Sequence, residues 1–229
     1  MSTFWDLPED VRGTIYRLHL VQAEPISVDQ HELYVKCEDF YEAGKSKRCT
    51  PPICELSRQA EKEAAPIYYG ENSFKFGNGS LEDGSYSGIF RFMMSTRPRH
   101  VRLIRSVIFD WTSYGGSAQE TFHEIRRMKG LQELNIRVDE QAMVNRTLSA
   151  RYHRQDYDCK DPSPQQQLTI LRHPGMTGLL SLSGIPSVRF TKKTRAGGAE
   201  YGGPIAGSIL ETQIAPRLMG LHTAQTSHR

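Results

Sequence analysis

Four residues in the first quarter of the chain, His31, Cys37, Cys49 and Cys54, are of the types that hold zinc. A structural zinc site draws four nitrogen or sulfur ligands into a tetrahedron, usually from close pairs spaced C-x2–4-C. Cys49 and Cys54 have four residues between them, which fits, but His31 and Cys37 form no equally close pair. Cys54 also lies near the apolar stripe of a predicted helix, where a free cysteine acts as a small apolar residue. Together with Cys159, these cysteines read as reduced thiols, with no metal and no cofactor.

Covalent hydrolysis needs a nucleophile, a base and an orienting group that meet in space. The chain has no Gly-x-Ser-x-Gly elbow, no cysteine with a catalytic flank, and no local motif that pairs His123 or His173. The glycines at 197, 198, 202, 203 and 207 lack the glycine-lysine-serine ending of a phosphate loop. The reading is a protein that is not an enzyme. Arg97, Arg99, His100, Arg102 and Arg105 form the densest basic run, close to Phe90, Phe92 and Trp111. Such a run can bind single-stranded nucleic acid by stacking and phosphate contacts. Val101, Ile104 and Val107 require the interior, however, so the arginines read as the exposed side of one element. With a net charge of only +3, nucleic acid is the lesser reading.

The elements that must position these residues begin at Asp6-Leu7-Pro8-Glu9. Asp6 suits an N-cap and Pro8 the first helical turn. Leu7, Val11, Ile15 and Leu18 recur at helical spacing and predict one buried stripe. Glu24-Pro25 marks the exit. Ile26, Val28, Leu33, Tyr34 and Val35 predict one or two short strands before a polar loop over 42–48. Thr50-Pro51 predicts the start of a second helix, with Ile53, Leu56, Ala60 and Ala64 as its buried stripe. Pro66 is expected to interrupt it and Gly70 to end a further short turn. Ser73–Phe76 reads as a strand.

Three later segments share the pattern apolar-x-x-apolar-x-apolar: Ile104–Phe109, Leu131–Ile136 and Ile185–Phe190. The first two are offset by 27 residues and the last two by 54, twice that. Each has a predicted helix upstream, over Ile89–Ser95, Ala118–Met128 and Gly175–Leu182. A helix–strand unit cannot bury its own apolar face, so the pattern predicts stacked units with mutually parallel strands, similar to a leucine-rich repeat. A plain α/β layer is the alternative. The unit expected near residue 158 is replaced by polar sequence. Ile205, Ile209, Leu210 and Ile214 are compatible with a short terminal helix in an otherwise flexible tail.

Leu7-Pro8-Glu9-Asp10-Val11-Arg12-Gly13-Thr14-Ile15-Tyr16-Arg17-Leu18 resembles the first helix of an F-box. The segment Ile53–Phe74, with Arg58-Gln59, Glu63-Ala64 and Tyr69-Gly70-Glu71-Asn72, resembles the second conserved block of a large group of fungal F-box-like proteins, most of them uncharacterised. The two blocks are separated by residues 21–52, a longer gap than the compact domain uses. The resemblance implies an adaptor that docks on a Skp1-type linker of a cullin ubiquitin ligase while the rest of the chain selects an unknown target protein. By position, Leu7, Pro8, Val11 and Ile15 would be the partner-binding residues.

The fold class expected is α+β: an F-box-like helical N-terminal module, followed by a small α/β region of leucine-rich-repeat-like helix–strand units. The module covers 1–80, with the inserted strand and loop segment at 21–52. The repeat-like region covers 88–192, with a polar insertion near 139–167. A Gly-rich loop and flexible tail occupy 193–229. A free-standing structural interaction domain with no ligase role is the alternative function.

At 229 residues, the chain is long enough for a core without staples, although a mean hydropathy of −0.54 makes that core lean. No window approaches the roughly 20 apolar residues of a membrane helix. The first residues lack a basic segment followed by an apolar one, which predicts an intracellular protein, cytoplasmic or nuclear. The sequons at Asn78 and Asn145 are then chance matches.

Overall fold

The computed structural model describes residues 3–28, 50–77, 88–111, 115–138, 171–172, 175–192 and 209–220. Leu33, Tyr34, Val35 and the polar stretches near 42–48 and 139–167 lie outside them, as do His31, Cys37, Cys49, Cys159 and His173. A 3-10 turn at Phe4–Asp6 leads into α1 (Glu9–Leu20) and β1 (Ile26–Val28). Then follow α2 (Ile53–Leu56), α3 (Arg58–Glu71), β2 (Ser73–Gly77), α4 (Gly88–Ser95), α5 (Pro98–Val101) and β3 (Ser106–Trp111). After these come α6 (Gly115–Arg127), β4 (Glu133–Val138), α7 (Met176–Leu180) and β5 (Ser187–Lys192). A π-helical turn at Leu210–Ile214 runs into α8 (Ala215–Leu218).

Among the described residues, five strands form one sheet in sequence order, β1-β2-β3-β4-β5, and every neighbouring pair is parallel. A helix precedes each strand, so the chain advances as successive helix–strand units. The three sequence templates are parallel neighbours, as their pattern predicts. Ser106 sits beside Glu133, 27 positions on, and Glu133 sits beside Ser187, 54 positions on. β5 pairs directly with β4.

Alternation decides which face is covered. Phe74 and Phe76, Val107 and Phe109, Leu134 and Ile136, and Val188 and Phe190 all point into the core. Ile104, Leu131 and Ile185, the first apolar residue of each template, are buried with them. The opposite face carries Lys75, Asn135, Arg137, Arg189 and Thr191, all partly or fully exposed. It is knit by polar cross-strand contacts, including Ser73 Oγ to Ser106 Oγ at 2.8 Å, Thr191 Oγ1 to Asn135 Oδ1 at 2.9 Å and an Arg137–Asp110 ion pair at 3.1 Å. The turns entering the strands stack as well. The amides of Gln132 and Glu133 both donate to the Arg105 carbonyl, and the Ser187 amide donates to the Gln132 carbonyl.

The sheet crosses the division set at residues 80–88, because β1 and β2 share the sheet and one core with β3–β5. In the tail, the expected short terminal helix is present, and the correction is that it packs on the core. Ile209, Leu210, Ile214, Ala215 and Leu218 are buried, and the Ile185 amide donates to the Leu218 carbonyl at 3.2 Å. Without that segment, the apolar side of the last unit would face water, so the helix is held as a cover over the end of the stack.

Three further expectations fail locally. Asp6 does not cap α1: its carboxylate takes the Thr3 amide at 2.6 Å and the Thr3 hydroxyl at 3.1 Å, closing the preceding turn. The second helix divides at Ser57, whose hydroxyl accepts the Ala60 amide at 3.0 Å and so starts α3 afresh. Pro66 lies inside α3 rather than ending a helix. Proline lacks the donor that would reach the Lys62 carbonyl, and both residues are exposed, so water can serve that carbonyl.

Candidate docking face on the first helix

The inward face of α1 is rotated away from the one its apolar spacing predicts. Arg12 and Tyr16 are buried, whereas Leu7, Val11 and Leu18 are 36%, 40% and 78% exposed. Ile15 is half-buried and Pro8 exposed. Leu56, expected in the core opposite them, is 75% exposed, and its neighbour Cys54 is buried instead. The stripes Leu7/Val11/Ile15 and Ile53/Leu56/Ala60 therefore do not face each other as one buried seam.

Arg12 turns the helix. Its guanidinium meets Glu63 of α3 in a fork, with Nε to Oε2 at 2.9 Å and Nη2 to Oε1 at 2.7 Å. It also donates through Nη1 to the Leu7 carbonyl, and it lies 5.9 Å from the centre of the Trp5 ring. Gln59 Nε2 adds a bond to Glu63 Oε1 at 3.1 Å. The Arg12 bonds hold the Glu63 carboxyl below its ordinary value, with burial opposing, and Glu63 in turn raises the Arg12 guanidinium. One turn on, the Tyr16 ring is fully enclosed and meets Phe4 edge-on at 5.6 Å, and burial pushes its phenol up.

Asn72 locks the other end of α1. Its Nδ2 donates to the Leu20 carbonyl at 2.9 Å and to the Tyr68 carbonyl at 2.8 Å, while its Oδ1 accepts the Gln22 amide at 2.8 Å. One buried amide thus joins the exit of α1 to the last turn of α3. Arg17 and Glu71 pair on the surface beside it at 3.0 Å. Held at both ends, α1 leaves Val11 exposed next to Leu7 and Pro8 of the lead-in to the helix, with Ile15 at the edge of this apolar strip. An exposed apolar strip on an anchored helix can enter a partner's groove.

Most of the basic run pairs with groups of the protein itself. Arg97, Arg99 and His100 converge on Glu61 of α3, with His100 Nε2 at 3.0 Å from Glu61 Oε1. Arg105 Nη1 donates to the Gly130 carbonyl at 3.1 Å. Burial pushes Glu61 up, but the bonds from Arg99 and Arg97 outweigh it and hold the carboxyl below its ordinary value. Arg99, Arg102 and Arg105 are exposed and Arg97 partly so, as expected from the sequence, but Arg97 and Arg99 also pair with Glu61. The pairings of Arg12 with Glu63, of Arg97 and His100 with Glu61, and of Asn72 with the exit of α1 were not legible in sequence, since the partners lie 36 to 52 positions apart.

Among the described residues no group of His, Cys, Asp and Glu is placed to hold a metal, and Cys54 is a buried thiol pushed by burial up to about 11. No helix of the described residues is long and apolar enough to cross a membrane. Comparison with protein-family models, curated proteins and solved structures gives no match to the chain.

Proposed function

We propose that the chain is a non-catalytic, F-box-like adaptor. In this reading, Leu7, Pro8, Val11 and Ile15 dock on a Skp1-type linker of a cullin ubiquitin ligase. The leucine-rich-repeat-like stack of units β1 to β5 presents a target protein. The observation that supports it is the outward apolar strip on α1, anchored from behind by Arg12 and Tyr16. A helix held this way keeps its apolar side free without loss of its packing. Titration of the intact chain with a Skp1-type linker tests the reading: saturable binding at micromolar or tighter affinity is expected, and none refutes it.

A second reading, a free-standing structural interaction domain with no ligase role, is favoured by a different observation. α1 and α3 each lead into a strand of the common sheet, so the helical opening is itself part of the stack. Failure to bind the linker, in a chain whose sheet is intact by circular dichroism, would select this reading.

A further inference from the structure

The cluster around Glu61 lies away from the docking strip, and its balance of charge and donors has a weak point. His100 is 2% exposed. Its ring stacks on Tyr69 with centres 5.0 Å apart and planes at 26°. Nε2 faces Glu61 Oε1, whereas Nδ1 has no hydrogen-bond partner. This arrangement suits the neutral tautomer that carries its proton on Nε2, because Nδ1 is then a bare lone pair and not a stranded donor. A second proton would have to go on Nδ1. It would bury an N–H with no acceptor, and it would add a third positive charge to a carboxylate already shared by Arg97 and Arg99.

We propose that the His100–Glu61 contact is a pH-sensitive clasp, in which protonation of His100 loosens α5 on α3 while the sheet stays folded. The groups facing the imidazole make His100 the one that titrates in mildly acidic water. From α3 these are Glu61, already ionised, and the Tyr69 phenol, neutral there. From α5 and the residue before it come Arg99 and Arg97, each paired with Glu61. Cys54 of α2, close enough to feel Glu61 and Arg97, stays a neutral thiol. Burial also disfavours the charged imidazole, in keeping with the geometry. The other histidines of the described residues, His19 and His123, are exposed on α1 and α6.

Amide hydrogen exchange on the intact chain, at about pH 7.5 and about pH 5.5 and corrected for intrinsic exchange, tests the clasp. Protection over residues 97–104 is expected to fall about tenfold on acidification while β3 and β4 keep theirs. His100→Gln retains a donor to Glu61 and cannot titrate, so its protection is expected to be the same at both pH values. Equal protection in the wild type at both pH values, loss in β3 and β4 together with 97–104, or an unchanged pH response in His100→Gln would each overturn the proposal. If that variant does not fold, the His100 ring is titrated by NMR in the wild type. Loss of protection over 97–104 that begins as pH falls below the imidazole's ordinary value of 6.5, with the closed-state ring protonating only at lower pH, supports the clasp, and a closed-state ring that protonates at or above its ordinary value overturns it.

Discussion

Arg12 of α1 and Glu63 of α3, 51 positions apart, are joined by two parallel bonds of 2.9 and 2.7 Å, and this fork sets the rotation of the first helix. A planar guanidinium matches both carboxylate oxygens at once, which an ammonium cannot do. Arg12→Lys is therefore expected to lower the melting temperature despite keeping the charge. Glu63→Gln should do the same and also flatten the acid limb of stability. The sign follows from the depressed Glu63 carboxyl: its contribution is present above the ordinary value of 4.5 and is lost as pH falls through the lower folded value. Thermal melts from neutral pH down to about pH 3 check both variants.

Asn72 is the second joint between the same two helices. Asn72→Ala would strand the Leu20 and Tyr68 carbonyls and the Gln22 amide where the Asn72 side chain now satisfies them. The expected loss is about 1–3 kcal/mol, read as a lower urea midpoint with an unchanged slope. Asn72→Asp keeps the acceptor for Gln22 but not the two donors, so it should recover little of that loss.

Leu56→Ala gives the opposite outcome. The side chain is mostly in water, so the change should stay within about 0.5 kcal/mol. Cys54→Ser, two residues earlier, places a hydroxyl in a buried site and should cost about 1–3 kcal/mol. A denaturant series on the two variants separates the residue that helical spacing marks as core from the one that is.

The contrast between these positions shows what a single sequence carries. The strand templates were legible because a parallel strand covered on one side must alternate. Ile104, Val107 and Phe109 and their two counterparts supply that alternation at offsets that become the register itself. The facing of α1 was not. Two stripes compete on that helix, Leu7/Val11/Ile15/Leu18 and Arg12/Tyr16, and apolar count favours the first. The second prevails because Arg12 has a fork partner in Glu63 and Tyr16 buries a large ring, and neither advantage can be seen within twelve residues. Leu56 was misplaced for a local reason that was visible: Ser57 ahead of a run of helix formers is a cap, and a cap there breaks the Leu56–Ala60–Ala64 stripe.

Gly130 tests the stacking of the turns. A Cβ built there would lie 2.2 Å from the Arg102 carbonyl oxygen, which is backbone and cannot rotate away. Successive units thus approach through a bare glycine at the entry to β4. Gly130→Ala should cost about 1–3 kcal/mol by forcing the two turns apart. Gly77→Ala, where an added Cβ meets nothing within 4 Å, is the matched control and should be far milder. Chemical denaturation of the pair measures the difference.

The docking strip yields the last test. Leu7, just ahead of α1, and Val11, in its first turn, are both exposed, while the contacts that hold the helix run through Arg12, Tyr16 and Asn72. Truncating both apolar side chains should therefore leave the fold close to intact. If the strip enters a linker's groove, Leu7→Ala with Val11→Ala removes buried area from the complex only. A loss of at least about tenfold in affinity, or about 1.4 kcal/mol, is expected by calorimetric titration. The change in melting temperature should be small beside that of Asn72→Ala. The same double variant with unaltered linker affinity would place binding elsewhere on the chain, whereas a large drop in melting temperature would mean that the strip is covered by the protein's own residues. Leu18→Ala, further along the same helix and more exposed than either, shows by its effect on affinity how far the groove extends.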